Sequence, residues 1–470
     1  MLANTMPHVH NETKHGGIMS EHRKDRRLDE LASAGHNVAQ FAAYTPTGES
    51  TYNRILGESS NKAFDIEVAA ELLLARADSR LVNVRSFDPS DPKSKPFDFG
   101  LATVDAIAAS ARARMQEGLH FILNENVPTD DGGVSGVQIG NVIEFTPFDT
   151  PRGVEKPGTV QFRRDMGYSV LKTVYGFEPS IEGGPHDRVE WSIHPVPKGI
   201  NNNHTIIWET EAIEHPPTDA EPSWPNRFST MLGDKTFGLI IADEIGLPVP
   251  RSTVFNRTVA PFSFGRETGT NTPWLRTAPN AQTPGQFTTT KGWIDPYQLM
   301  ANEDPSGENI ATILHQEGVN ALFSGATLLG SDGKLMVDGT EGQGDDFMVG
   351  IKKTSTLPPE LINKIHETYE YAESKLGPVR FEWVYDGETL WVVQLHKGMS
   401  VSYGNVIYPG DESVTYERFD TDRGLEELRA LIQSVAQDPS RGIILAGDVG
   451  ITSHFGDILR KAQVPSRLEK

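Results

Sequence analysis

The chain has 470 residues, 64 acidic side chains against 43 Lys and Arg, and a formal net charge of −21. That field disfavours nucleic acid and anionic membranes as partners, and the absence of cysteine removes disulfides, thiolate catalysis and Cys-ligated zinc. With 37% hydrophobic residues the composition supports sizeable cores, two or three domains are expected from the length, and a cytoplasmic setting and a homo-oligomer are both compatible.

Taken in chain order, residues 1–20 read as a disordered lead-in, with no apolar signal-peptide core. His8, His10, His15 and His22 fall in or just after it without a folded frame that would make them a metal site. Residues 21–214 read as a first mixed α/β unit, in which "HTIIWETE" is a strand. "HPPTDAEPSWPNR" (215–227) is a linker, and residues 228–404 form a second unit. There "FGLIIADEIGL" and "LPPELINKIHETYEYAESKL" carry helical apolar spacing, "TLWVVQL" is a strand, and "SDGK" and "YDGE" are hairpin turns. Residues 405–470 hold a helix, "GLEELRALIQSVAQ", a strand, "GIILAG", and "GITSHFGDILRKAQVP", where Thr-Ser-His opens a short amphipathic helix. No apolar run approaches the ~20 residues of a membrane helix.

The two units repeat one another. Lys24 and Lys235 lie 211 positions apart, as do Gly35 and Gly246. Arg85/Arg276, Glu125/Glu317, Ser135/Ser324, Glu144/Asp338 and Glu190/Glu382 follow at 191, 192, 189, 194 and 192. Short matches in one order at a nearly constant offset point to an internal duplication. Glu209 of the first unit sits in a strand like that of Gln394.

Five stretches of the second unit carry a family likeness: "GDKTFGLIIADEIGLPVP", "LRTAPN", "HQEGVNALFSGA", "EGQGDDFMVG" and "GPVRFEWVYDGETLWVVQLHKG". In this order they resemble the ATP-grasp nucleotide-binding domain of the phosphoenolpyruvate synthase and pyruvate phosphate dikinase superfamily. Asp345 stands where that family has a glutamate. The resemblance implies an α/β, ATP-grasp-like fold in two tandem related units, with ATP and Mg²⁺ bound by the second. ATP carries about four negative charges, and Lys235 and Arg276 suit charge-assisted hydrogen bonds to its phosphates. Gln316, Glu317 and Val319 fall on the segment that faces adenine. Glu382 and Gln394 keep the family's spacing of twelve and would hold Mg²⁺, which needs only one or two protein oxygens. The family's arginine two positions after the glutamine, which faces the transferred phosphoryl group, is replaced by His396, with Lys397 beside it.

"TSHFGDILRKAQVP" is similar, without a gap, to the same family's phosphohistidine segment, with His454, Arg460 and Pro465 in register. The N–H groups and dipole of a helix N-terminus favour an anion on His454, and Thr452 or Ser453 would cap the helix or help hold the phosphate. The activity implied is an ATP/Mg²⁺-dependent phosphotransferase. Arg276, His396 and His454 would be catalytic, and a small-molecule acceptor would bind near the first unit. Two alternatives stand beside it: an ATP-grasp kinase or ligase without a phosphohistidine, and a non-catalytic nucleotide-binding protein on a decayed scaffold. The first unit itself is read either as a second nucleotide site or as the acceptor site.

Overall fold

A computed structural model describes residues 26–55, 57–58, 62–91, 95–127, 130–149, 157–270, 272–280, 287, 289–344 and 355–469. Lys24, the four N-terminal histidines and Asp345 lie outside the described residues. Contacts divide the chain into two compact units, Met1–Asp165 with Pro179–Ala220, and Met166–Glu178 with Glu221–Lys470.

In the first unit a helix, α1, is described over 26–33. Strict alternation of buried and half-buried residues in "HFILNE" makes this segment a one-sided strand, the centre of an antiparallel sheet. Its strands are β1 (Phe41–Tyr44), β2 (Ser50–Arg54), β3 (Val82–Phe87), β4 (Phe97–Leu101) and β5 (His120–Glu125), in the order β2-β1-β5-β3-β4. Helices α2 (Ile66–Arg76) and α3 (Val104–Gln116) cover its apolar face, with Leu73, Val84, Ile107 and Phe121 in a common core. The Thr103 hydroxyl accepts from Ala106 N and so caps α3. A second antiparallel sheet follows: β6 (Val134–Ile139), β7 (Val142–Pro147), β8 (Val160–Arg163), β9 (Asp187–Lys198) and β10 (Asn203–Ala212), ordered β10-β9-β6-β7-β8. Helix α4 (Arg164–Tyr175) comes between β8 and β9, and its residues from Met166 onward count with the second unit.

The second unit repeats this plan. After α5 (Arg227–Leu232) and α6 (Asp234–Glu244) come β11 (Ser252–Asn256), β12 (Phe262–Phe264), β13 (Pro273–Pro279), β14 (Thr289–Lys291), α7 (Pro296–Glu303) and β15 (Ile310–Glu317). The sheet order is β12-β11-β15-β13-β14, the arrangement of the first sheet strand for strand. Next are β16 (Phe323–Leu329), β17 (Leu335–Glu341), α8 (Pro359–Leu376), β18 (Val379–Tyr385) and β19 (Leu390–Lys397), ordered β17-β16-β18-β19. Reversed, this is β10-β9-β6-β7 without a counterpart of β8.

Equivalence extends to single residues. "RVEW" lies on β9 and "RFEW" on β18. Both tryptophans pack flat on a glycine of the neighbouring strand. A Cβ on Gly136 would stand 2.4 Å from the Trp191 ring, and one on Gly325 2.6 Å from that of Trp383. Glu190 pairs with Glu209 and Glu382 with Gln394, and beside each pair the ladder skips one residue, Trp208 in β10 and Val393 in β19. Ile207 N donates to Asn37 O and Val392 N to Pro248 O, both at 2.8 Å, and Asn37 and Pro248 lie 211 positions apart, the offset of the two lysines.

The last segment has its own layer inside the second unit. Strands β20 (Val406–Tyr408), β21 (Thr415–Asp420), β22 (Arg441–Ala446) and β23 (Ser466–Leu468) form a sheet ordered β20-β23-β22-β21, parallel from β21 to β23. Helices α9 (Leu425–Val435) and α10 (His454–Ala462) pack on it around Phe419, Leu428, Phe455 and Leu459. Met336 of β17 packs against the same core, which joins this layer to the sheet before it. Among the described residues no helix is long and apolar enough to cross a membrane.

Candidate functional site

Lys235 stands one residue inside α6. The helix starts at Gly233 in a left-handed conformation (φ 80°), and Gly238 lets it lie directly on β19, where a Cβ would meet Leu395 O at 2.0 Å. This seat holds Lys235 over the sheet, half-buried, with no hydrogen bond or ion pair to any described residue. Burial lowers its pKa; Glu382 opposes that shift and Arg276 adds to it. The three groups therefore share one neighbourhood, as their order in the sequence implied.

Arg276 projects from β13. Its Nη1 donates to Val393 O at 3.5 Å, and its Nε is buried without a partner among the described residues. A guanidinium carries five donors, and a buried donor left unmade costs free energy, so this orphan marks where an acceptor belongs. Glu382 makes no side-chain hydrogen bond or ion pair with the described residues.

Gln394 faces Glu382 directly across the β18–β19 ladder. Its amide nitrogen lies 2.6 Å from His396 Nε2. An amide N–H donates, so the imidazole nitrogen accepts and Gln394 Oε1 is left for another partner. Burial, with Arg380 adding to it, lowers the His396 pKa to about 3, so the ring is neutral and fit to accept. His396 is 7% exposed and orients Gln394 rather than offering a positive charge.

Gln316, Glu317, Gly318 and Val319 close the other side of the same cleft, which also has Arg276 and Glu382 in its walls. The Gln316 amide is directed at Ser252 Oγ (3.4 Å), and the Glu317 carboxylate accepts from Thr268 N at 2.9 Å. These side chains are thus engaged on the wall of the cleft. Trp274, Val384 and Val393 give it apolar surface. Sequence reading missed these three. Trp274 had a signal, since it lies two residues before Arg276 on one strand and so on the same face.

Mg²⁺ fits the donor set. Glu382 and the Gln394 carbonyl are adjacent oxygen donors, and among the described residues no group of three or more His, Asp or Glu is placed to hold a metal unaided. That suits an ion bound jointly by protein and phosphate oxygens.

His454 is the first residue of α10. The Thr452 and Ser453 hydroxyls and His454 Nδ1 are all buried without partners, and Ser453, the N-cap, makes no side-chain capping bond. The expected hydroxyl cap is absent. An anion is already present, because the Asp338 carboxylate of β17 accepts from Thr452 N at 2.9 Å and lies against Gly450. Arg460, in register with the family's segment, binds Ile451 O (2.8 Å), Ser402 Oγ (3.2 Å) and Asp457 (2.6 Å).

The first unit has a different interior at the matching positions. Asn83, Ser192 and Trp208 replace Trp274, Val384 and Val393. The Trp208 indole donates to Ser192 Oγ (2.8 Å), which His194 Nε2 also contacts (2.9 Å), and His194 Nδ1 meets Asp131 at 2.9 Å. A Ser-His-Asp chain of this kind can activate a nucleophile, but Ser192 is 1% exposed and its oxygen already takes the indole proton, so the chain holds Trp208. Arg85 pairs with Glu209 at 3.5 Å, whereas Arg276 donates to the Val393 carbonyl at 3.5 Å.

No family model matches the sequence, and no curated protein shows significant similarity to it. Among solved structures, the chain is similar to VanG D-Ala:D-Ser ligase from Enterococcus faecalis, with 18% identity, 36% of this chain and 54% of that one covered, and a TM-score of 0.25. D-alanine–D-alanine ligase from Helicobacter pylori gives 9%, 37%, 53% and 0.24. D-alanine–D-alanine ligase from Bacillus anthracis complexed with ATP gives 12%, 36%, 57% and 0.24. The chain thus spans about half the length of the structures it matches.

Proposed function

We propose that the second unit binds ATP with Mg²⁺ and that the protein is an ATP-dependent enzyme of ATP-grasp type. The observation that carries this is Lys235, a half-buried cation without a direct partner among the described residues, beside an arginine with an orphaned Nε and a carboxylate–amide pair facing each other across a hairpin. Lys235 and Arg276 would hold the triphosphate, Glu382 and Gln394 would hold Mg²⁺, and the Gln316–Val319 segment with its apolar neighbours would receive the adenine. Mg²⁺ would supply charge neutralisation at the phosphates; Lys235 and Arg276 hold the phosphate oxygens, and His396 sets the Gln394 amide.

The reaction that this arrangement supports best is direct transfer from ATP to a small acceptor, as in a kinase or ligase. Asp338 already serves the N-terminus of α10, and a phosphate on His454 would meet that like charge. The phosphohistidine route has its own support in the three unpartnered polar atoms of Thr452, Ser453 and His454. Incubation with MgATP alone followed by intact-mass measurement separates the two: direct transfer predicts no stable adduct. An acid-labile gain of one phosphoryl group, lost in His454→Ala, would establish the carrier route instead. Unchanged melting at millimolar MgATP would count against nucleotide binding altogether.

A further inference from the structure

The face of α10 that carries His454 also carries Asp457 and Lys461, at i, i+3 and i+7. This face is docked onto the second unit's own sheet. Asp457 pairs with Arg380 of β18 at 3.6 Å, Thr452 N is held by Asp338 of β17, and Met336 of β17 lies in the α10 core. Arg380 is two residues before Glu382 on the same strand and stands opposite His396 across the ladder. Lys461, one turn beyond Asp457, is within electrostatic reach of Asp457, Arg380, Lys235 and Asp234, yet remains exposed to solvent.

We propose that α10 completes the phosphate end of the nucleotide cleft and that the Lys461 ammonium binds the polyphosphate of the nucleotide. The inference rests on the reading of the second unit as an ATP site. It answers the position of His396, which is buried with its Nε2 taken up by the Gln394 amide at 2.6 Å. Burial lowers the Lys461 pKa to about 8, with Arg380 and Lys235 adding to the shift and Asp457 opposing it. Cations crowded in this way are stabilised by a polyanion between them.

The test is a titration of the full chain with MgATP and, separately, with AMP, for the wild type, Lys461→Met and Lys461→Arg. A charge-assisted contact to the polyphosphate predicts that Lys461→Met weakens MgATP by about tenfold and leaves AMP unchanged, with Lys461→Arg close to wild type. If Lys461→Met weakens both ligands equally, or neither, Lys461 is not a polyphosphate ligand and the inference falls while the ATP site stands. If the wild type binds neither ligand, the nucleotide reading falls and takes this inference with it. Lys461 is exposed, so folding of the variants is expected and is checked by their melting curves.

Discussion

A lysine half-buried without a direct partner among the described residues costs stability, and Lys235 is such a residue. Lys235→Met removes the desolvated charge and keeps the apolar stem. The ligand-free protein should melt a few degrees higher, while the shift produced by MgATP is lost; a lower melting point for the free variant would contradict this. Glu125, the first-unit counterpart of Glu317, is 2% exposed, and burial raises its pKa to about 7 despite a hydrogen bond from Gln40 N. In the unfolded chain it ionises near the ordinary carboxylate range. Between that range and pH 7 the folded state binds the extra proton, so this residue's contribution falls as pH rises, by roughly 3 kcal/mol in total. Glu125→Gln should flatten the stability profile between pH 5 and 8, and parallel wild-type and variant profiles in denaturant titrations would refute the assignment. Chemistry at single residues was partly legible in the sequence. Lys235, Arg276, Glu382 and Gln394 were singled out because they keep order and spacing, and the fold brings Lys235, Arg276 and Glu382 into one neighbourhood with Gln394 paired to Glu382. The role of His396 was not, because its charge is set by burial and by Arg380, which composition does not reveal.

At the scale of elements, α6 is positioned by contact rather than by propensity. Gly238 sits on Leu395 O and against the Trp224 ring, so Gly238→Ala must push the helix off β19 or bend it. A loss of about 1–3 kcal/mol is expected, with nucleotide binding reduced because Lys235 moves with the helix. Wild-type stability in this variant would show that α6 is loosely seated. The loop before α10 reverses the usual expectation for a helix start. The Ser453 hydroxyl is fully buried without a hydrogen bond, so Ser453→Ala should cost less than about 0.5 kcal/mol, below the ~1 kcal/mol of a true cap. Asp338→Ala, which removes the acceptor of Thr452 N, should cost about 1–2 kcal/mol. Chemical denaturation of both variants decides which residue serves the helix end. Helices and hairpins were read well from periodicity and turn residues. The Asp338–Thr452 contact spans 114 positions and leaves no local signature.

Over the whole molecule the duplication was legible because near-constant offsets survive divergence, and the two identical sheet orders explain them. What the sequence concealed is that the copies differ inside. Lys24 and Lys235, Arg85 and Arg276, and Glu190 and Glu382 match on paper, yet Trp208 replaces Val393, and Glu209, in the place of Gln394, pairs with Arg85. With Trp208 tied to Ser192 and Arg85 paired with Glu209, the nucleotide reading proposed above is confined to the second unit. The central claim is one nucleotide site per chain, in the second unit. Isothermal titration of the full chain with MgATP tests it most directly. The account predicts a stoichiometry of one that disappears in Lys235→Met and is unaffected by Arg85→Met; two sites, no site, or a single site lost with Arg85 would contradict it.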